Sequence, residues 1–170
     1  MPKNVASKTI RVAKRLTAEQ RREIGNDVIE YIQKRSKEGK GKSNRPWKGE
    51  AGVYSDAYKN SKKFKQKGKS NLVNLTLDNE MLKALSVISN KPGEVTIGYK
   101  LGSEQWGKAK GNILGSYGKK VGNPRKARNF LEITRQEVNK VLFPNGRAGL
   151  AAAAALAAAA ASEGEEGEQS

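Results

Sequence analysis

The chain has 170 residues, with 33 lysines and arginines against 17 aspartates and glutamates, a formal charge of +16, and neither histidine nor cysteine. That composition excludes disulfides, thiolate chemistry, histidine or cysteine metal sites and any imidazole acid–base step. Hydrophobic residues make up 36% and aromatic residues 6%, and mean hydropathy is −0.75, which allows one domain with a modest core plus appendages. No apolar run approaches the ~20 residues that span a bilayer. The opening "MPKNVASKTI" lacks a hydrophobic signal core and reads as the start of a cytosolic product.

In chain order, residues 1–7 read as a flexible arm. "KTIRVAK" alternates Ile10 and Val12 and predicts a short strand. "LTAEQRREIGNDVIEYIQKRSKEG" predicts the strongest helix: Thr17 and Gln20 have capping-box spacing, Ile24, Val28 and Ile32 share one face with Tyr31 beside them, and Gly39 and Gly41 stop it. Residues 37–70 form a long polar connection holding Trp47, Tyr54, Tyr58 and Phe64, with Ser55 placed to cap a short helix. Within it Lys59, Lys62, Lys63, Lys65, Lys67 and Lys69 occur without an acid, so a large, basic, partly ordered loop is expected.

"VNLTLDNEMLKAL" then changes period. Val73, Leu75 and Leu77 alternate like a strand, and Met81, Leu82 and Leu85 fall at helical spacing after an Asp78 N-cap. "SVISN" and "EVTIGY" around "KPG" predict a hairpin. Residues 100–127 read as a second Gly- and Lys-rich loop, with Lys119 and Lys120 and no acid after Glu104. After "RNFLEI", Thr134 and Glu137 form a capping box and Ile133 and Val138 a hydrophobic staple, opening a helix that ends at Pro144. Residues 146–170 form a low-complexity tail, with ten alanines and Leu156 between Ala151 and Ala161, then "SEGEEGEQS". Those last nine residues carry four glutamates and no base, leaving +20 on the 161 before them. The predicted organisation is thus an arm (1–7), one domain (8–145) and a tail (146–170).

Catalytic patterns fail. "GKS" occurs at Gly41 and Gly68, but a P-loop needs a glycine five residues earlier, where Ser36 and Lys63 stand. Asp27, Glu30, Asp56, Asp78 and Glu80 are scattered singly, whereas a magnesium-dependent nuclease would need clustered carboxylates. No enzyme, metal or cofactor is expected. Trp47, Tyr54 and Tyr58 suit either base-stacking platforms or, more commonly, anchors that pin a loop. The lysines at 59–69 with Lys119 and Lys120 are the candidate contacts to a polyanion, whether nucleic-acid phosphate or an acidic protein surface.

The order of elements carries a resemblance. A capped helix precedes "RPWKG" and a loop with the Tyr-x-x-x-Tyr pair Tyr54 and Tyr58. An "L-T-L-x-x-x-M-L" element follows (Leu75, Leu77, Met81, Leu82), then a strand ending in Ile97-Gly98, then "AR-x-FL" with Arg128, Phe130 and Leu131. Over about residues 8–143 this set resembles the tail-completion, or virion-morphogenesis, family of tailed bacteriophages. Many relatives carry a histidine- or glutamine-containing element after the "IG" strand; this chain has Gln105 and Trp106 there and no histidine. The resemblance implies an α+β domain, a helix on a small antiparallel sheet. It further implies a structural virion protein that forms a homo-oligomeric ring, often six-fold, in the neck. Its partners would be connector or head-closure and tail-terminator or tube proteins, with packaged DNA nearby. The virion is then its destination and the host cytoplasm its place of assembly. The competing reading is a basic nucleic-acid-binding protein without sequence specificity, supported by the charge but by no recognisable nucleic-acid-binding module.

Overall fold

The computed structural model describes residues 4–67, 73–75, 80–117 and 121–142. The fold is α+β. Three strands, β1 (Ser7–Arg11), β2 (Ser86–Lys91) and β3 (Glu94–Gly98), form an antiparallel sheet in the order β1-β3-β2. β2 and β3 are the predicted hairpin, with Lys91 opposite Glu94 and a register shift between Val87 and Ser89. Alternation sets the faces. Ile10 and its partner Val95 are buried, while Thr9 and Thr96 share a 2.9 Å hydrogen bond on the solvent side.

The buried face is covered by α1 (Ala18–Lys37). Its start follows from the Thr17 capping box: the Gln20 amide donates to Thr17 Oγ1 at 3.2 Å, and the Thr17 amide to Gln20 Oε1 at 2.9 Å. Ile24, Val28, Ile29 and Ile32 are buried. Gly25 faces the sheet, where a Cβ would lie 2.6 Å from Val87 Cγ2, so glycine lets this helix approach the strands. Gly98 is equally constrained, since a Cβ there would lie 2.5 Å from the Ala6 carbonyl oxygen.

The remaining helices are α2 (Asp56–Lys59), α3 (Lys62–Lys67), α4 (Glu80–Lys83), α5 (Glu104–Leu114) and α6 (Arg135–Leu142). α6 opens on the expected box, with the Glu137 amide donating to Thr134 Oγ1 at 3.2 Å, and Ile133 and Val138 join one core. Phe130 and Leu131 lie at the centre of that core, and the Tyr99 ring meets Phe130 edge-on at 6.3 Å. The Tyr99 hydroxyl donates to the Met81 carbonyl at 2.9 Å. Burial pushes that phenol's pKa well above its usual value.

Four expectations need correction. Residues 100–127 are not one loop: Ser103 caps α5, Trp106, Ala109 and Ile113 pack on the core, and Gly115 ends the helix at φ 65°. Gly107 and Gly111 hid that periodicity. The 37–70 connection holds more order than expected: the short helix capped by Ser55 is α2, and beyond it lie α3 and 3-10 turns at Lys42–Asn44 and Gly49–Ala51. The arm is tied down from Asn4 onward, because Asn4 Nδ2 donates to the Tyr99 carbonyl at 3.0 Å and Trp106 Nε1 donates to Asn4 Oδ1 at 2.8 Å. Finally, Val73–Leu75 is no strand: Leu75 has φ 55°, a left-handed conformation that breaks an extended run. Leu77, Asp78 and the tail from residue 143 lie outside the described residues.

Candidate functional site

Two concave surfaces meet at one seam. The 3-10 turns Gly49–Ala51 and Pro124–Lys126 pack on each other, and Arg128 fastens the seam from beneath. Arg128 is buried; its Nε donates to the Ala51 carbonyl at 2.7 Å, its Nη2 to that of Val53 at 3.3 Å and its Nη1 to Asn112 Oδ1 at 3.4 Å. The guanidinium also lies 5.2 Å from the Tyr117 ring centroid and 5.8 Å from that of Tyr54. Burial raises the pKa of both phenols, and the adjacent Arg128 charge partly opposes it.

On one side of the seam lies a cavity of about 750 Å³. Val53, Tyr54, Tyr58, Leu75, Met81 and Val121 give it apolar and aromatic walls. Tyr54, Tyr58 and Phe64 form a triangle of rings with centroids 5.3 to 5.6 Å apart. Trp47 packs against the core. Tyr54 and Tyr58 therefore anchor their segment, and Trp47 is at least partly an anchor too. Leu75 and Tyr117 both have positive φ, 55° and 43°, and both line the cavity. Backbone strain of this kind costs roughly 1–3 kcal/mol per residue and concentrates where a surface is used. Val121, at the rim, is 81% exposed, and Val53 and Tyr117 are exposed beside it.

The cavity's two lysines are matched by carboxylates, while its Arg128 is held by carbonyl and amide oxygens. Lys108 lies 2.7 Å from Glu104 and 3.8 Å from Glu80, and Lys126 lies 3.8 Å from Glu50. Ser55 Oγ accepts from the Tyr58 amide at 3.3 Å as a helix cap. Neither Ser55 nor Ser116 is hydrogen-bonded to a carboxylate or lysine among the described residues, so no activated nucleophile is assembled here. Nor, among the described residues, do three or more carboxylates gather to hold a metal.

Across the seam lies a groove of about 390 Å³, between residues 41–51 and 124–132. Lys42, Arg45, Lys48 and Arg125 line it, with Trp47 and Glu132. Lys42 is paired with Glu132 at 2.8 Å. Arg45, Lys48 and Arg125 make no ion pair among the described residues.

Of the predicted lysines, the described residues place five on or beside α2 and α3. Lys59 pairs with Asp56 at 3.3 Å, Lys62 and Lys65 are exposed on α3, and Lys63 and Lys67 lie in the same helix. Lys69, Lys119 and Lys120 are outside the described residues. Sequence reasoning passed over Arg45, Lys48 and Arg125; the signal was a proline with bases close by in both "RPWK" and "NPRK". It also passed over the buried Arg35–Glu137 pair. Arg35 Nη1 donates to Glu137 Oε1 at 2.5 Å, and Tyr31 donates to the same oxygen at 3.0 Å. Burial alone would raise the pKa of Glu137, but hydrogen bonds from the amides of Thr134 and Asn44, with the Arg35 charge, hold it down to about 2.

No family model, curated protein or solved structure matches the chain.

Proposed function

We propose that the chain is a structural, non-enzymatic virion subunit of the tail-completion type. Copies of it close into a ring in the phage neck and join the tail to the filled head. The observation that carries this reading is the cavity. Its walls are largely apolar, its lysines are already paired with carboxylates, and its rim exposes Val53, Tyr117 and Val121. Exposed apolar surface around a concavity is a protein-docking feature. The occupant we assign is a segment of the neighbouring copy, because a head-to-tail contact between unlike patches closes into a ring when the rotation allows. A subunit of this kind can keep a small core, since its neighbours complete the burial. The residues that carry the family resemblance serve as packing and cross-links: Gly98 admits β1, Arg128 fastens the seam, and Phe130 and Leu131 fill the core.

The test is the solution mass of nuclease-treated protein at low and high salt, with negative-stain images of the same fractions. The expected result is a discrete ring that survives high salt. Val121→Asp should dissociate it while the subunit keeps its far-UV circular dichroism spectrum, with a lower thermal midpoint because the neighbour's stabilisation is lost. A wild-type monomer at both salts, or a ring indifferent to Val121→Asp, would overturn the proposal.

A further inference from the structure

We propose that the groove between residues 41–51 and 124–132 is a nucleic-acid backbone site, with Arg45, Lys48 and Arg125 holding phosphates and Trp47 presenting a face to a base. This inference is independent of the assembly reading: it concerns the other side of the seam and holds equally for a monomer. Charge is the first argument. Among the described residues, many surface cations of this basic chain have no ion pair, but this groove gathers three of them, Arg45, Lys48 and Arg125, from two distant segments. Two of the three are arginines, whose planar fork matches a phosphate's oxygens.

The second argument is shape. Pro46 and Pro124 stiffen the two walls. Trp47 lines the groove half-buried, with its indole against Gly41, where a Cβ would lie 2.7 Å from Nε1. Its indole N–H donates to no group among the described residues. An aromatic side chain beside unpaired cations is the combination that sequence-independent binding of a single strand uses. An acidic protein surface would use the cations but would gain nothing from the ring, so nucleic acid is favoured.

The probe is a labelled oligothymidylate, titrated by fluorescence anisotropy across a salt series. Each phosphate contact on a single strand contributes about 0.7 to the slope of log K against log salt. Replacing Arg45, Lys48 and Arg125 together by Gln should therefore lower the slope by about 2 and weaken binding on the order of 100-fold at about 0.1 M salt. Because Arg45, Lys48 and Arg125 are exposed, the fold should persist, as circular dichroism would verify. The same triple change at Lys59, Lys62 and Lys65 should leave affinity within about threefold. In a Trp106→Phe background the remaining tryptophan should be quenched by oligothymidylate. Equal losses from both triple variants would show a diffuse charge effect and overturn the site. So would an unchanged groove variant, or polyglutamate competing as well per charge as the oligonucleotide.

Discussion

Glu137→Gln tests whether the buried pair between α1 and α6 holds the domain together. Glu137 and Arg35 are 4% and 2% exposed, and Arg35 also donates to the Phe130 carbonyl at 2.9 Å and to the Glu132 carbonyl. The carboxylate's ordinary pKa of 4.5 falls to about 2 in the folded protein. A depressed carboxylate contributes stability above its unfolded pKa and loses it as pH falls through the folded one. A gap of about 2.5 pH units corresponds to about 3 kcal/mol at neutral pH. Glutamine removes that term and strands a buried guanidinium whose Nε already lacks an acceptor, a change that costs roughly 3–5 kcal/mol in buried pairs. Urea unfolding at pH 7 should show a midpoint about 1–2 M lower than wild type. By pH 3 the wild type should have lost about 2 kcal/mol of this contribution and the variant none, so the two curves should converge. Midpoints that coincide at pH 7, or a gap equally wide at pH 3, would refute the reasoning.

Gly98→Ala should cost about 2–4 kcal/mol, because the new methyl meets the backbone of Ala6 and Ser7, which cannot rotate away; amide exchange should accelerate first in β1. Phe130→Ala removes a fully buried ring from the core centre and should cost about 3–5 kcal/mol in urea or thermal unfolding, with a value under 1 counting against this packing. Arg128→Lys keeps the charge but loses the fork that reaches two carbonyls and Asn112, so a loss of about 1–3 kcal/mol is expected. An unchanged stability would refute the seam.

How much was legible depends on whether the deciding physics was local. The Thr17 and Thr134 boxes, the "KPG" hairpin and the apolar stripe of α1 are short-range patterns, and each appears where its residues predict. α5 was illegible because Gly107, Gly111 and Gly115 dilute a stripe of only three residues, and what makes them helical is packing against Met81 and Phe130 in the core. Leu75 defeats alternation for a similar reason, since its φ of 55° is imposed by surroundings that no window of sequence contains. Charge density in sequence picks out only bases that adjoin along the chain: the run from 59 to 69 stands out for that reason, and α3 displays its Lys62 and Lys65 to solvent. The groove draws its cations from segments some 80 residues apart, which only the fold unites.

That union also ties the two candidate surfaces together. Arg128 holds the carbonyls of Ala51 and Val53; Ala51 lines the groove and Val53 the cavity. Arg125 and Lys126 are adjacent in one turn, yet the first faces the groove and the second the cavity. A ligand that fixes either wall of the seam therefore restricts the other, and the second partner meets a surface that has already surrendered part of its conformational entropy. Coupling between sites is reciprocal in free energy. If both proposals hold, nucleic acid in the groove favours a neighbour in the cavity by the same factor that the neighbour favours nucleic acid. A seam of this construction would make ring closure most favourable where a strand is already present, and its hinge is the buried guanidinium of Arg128.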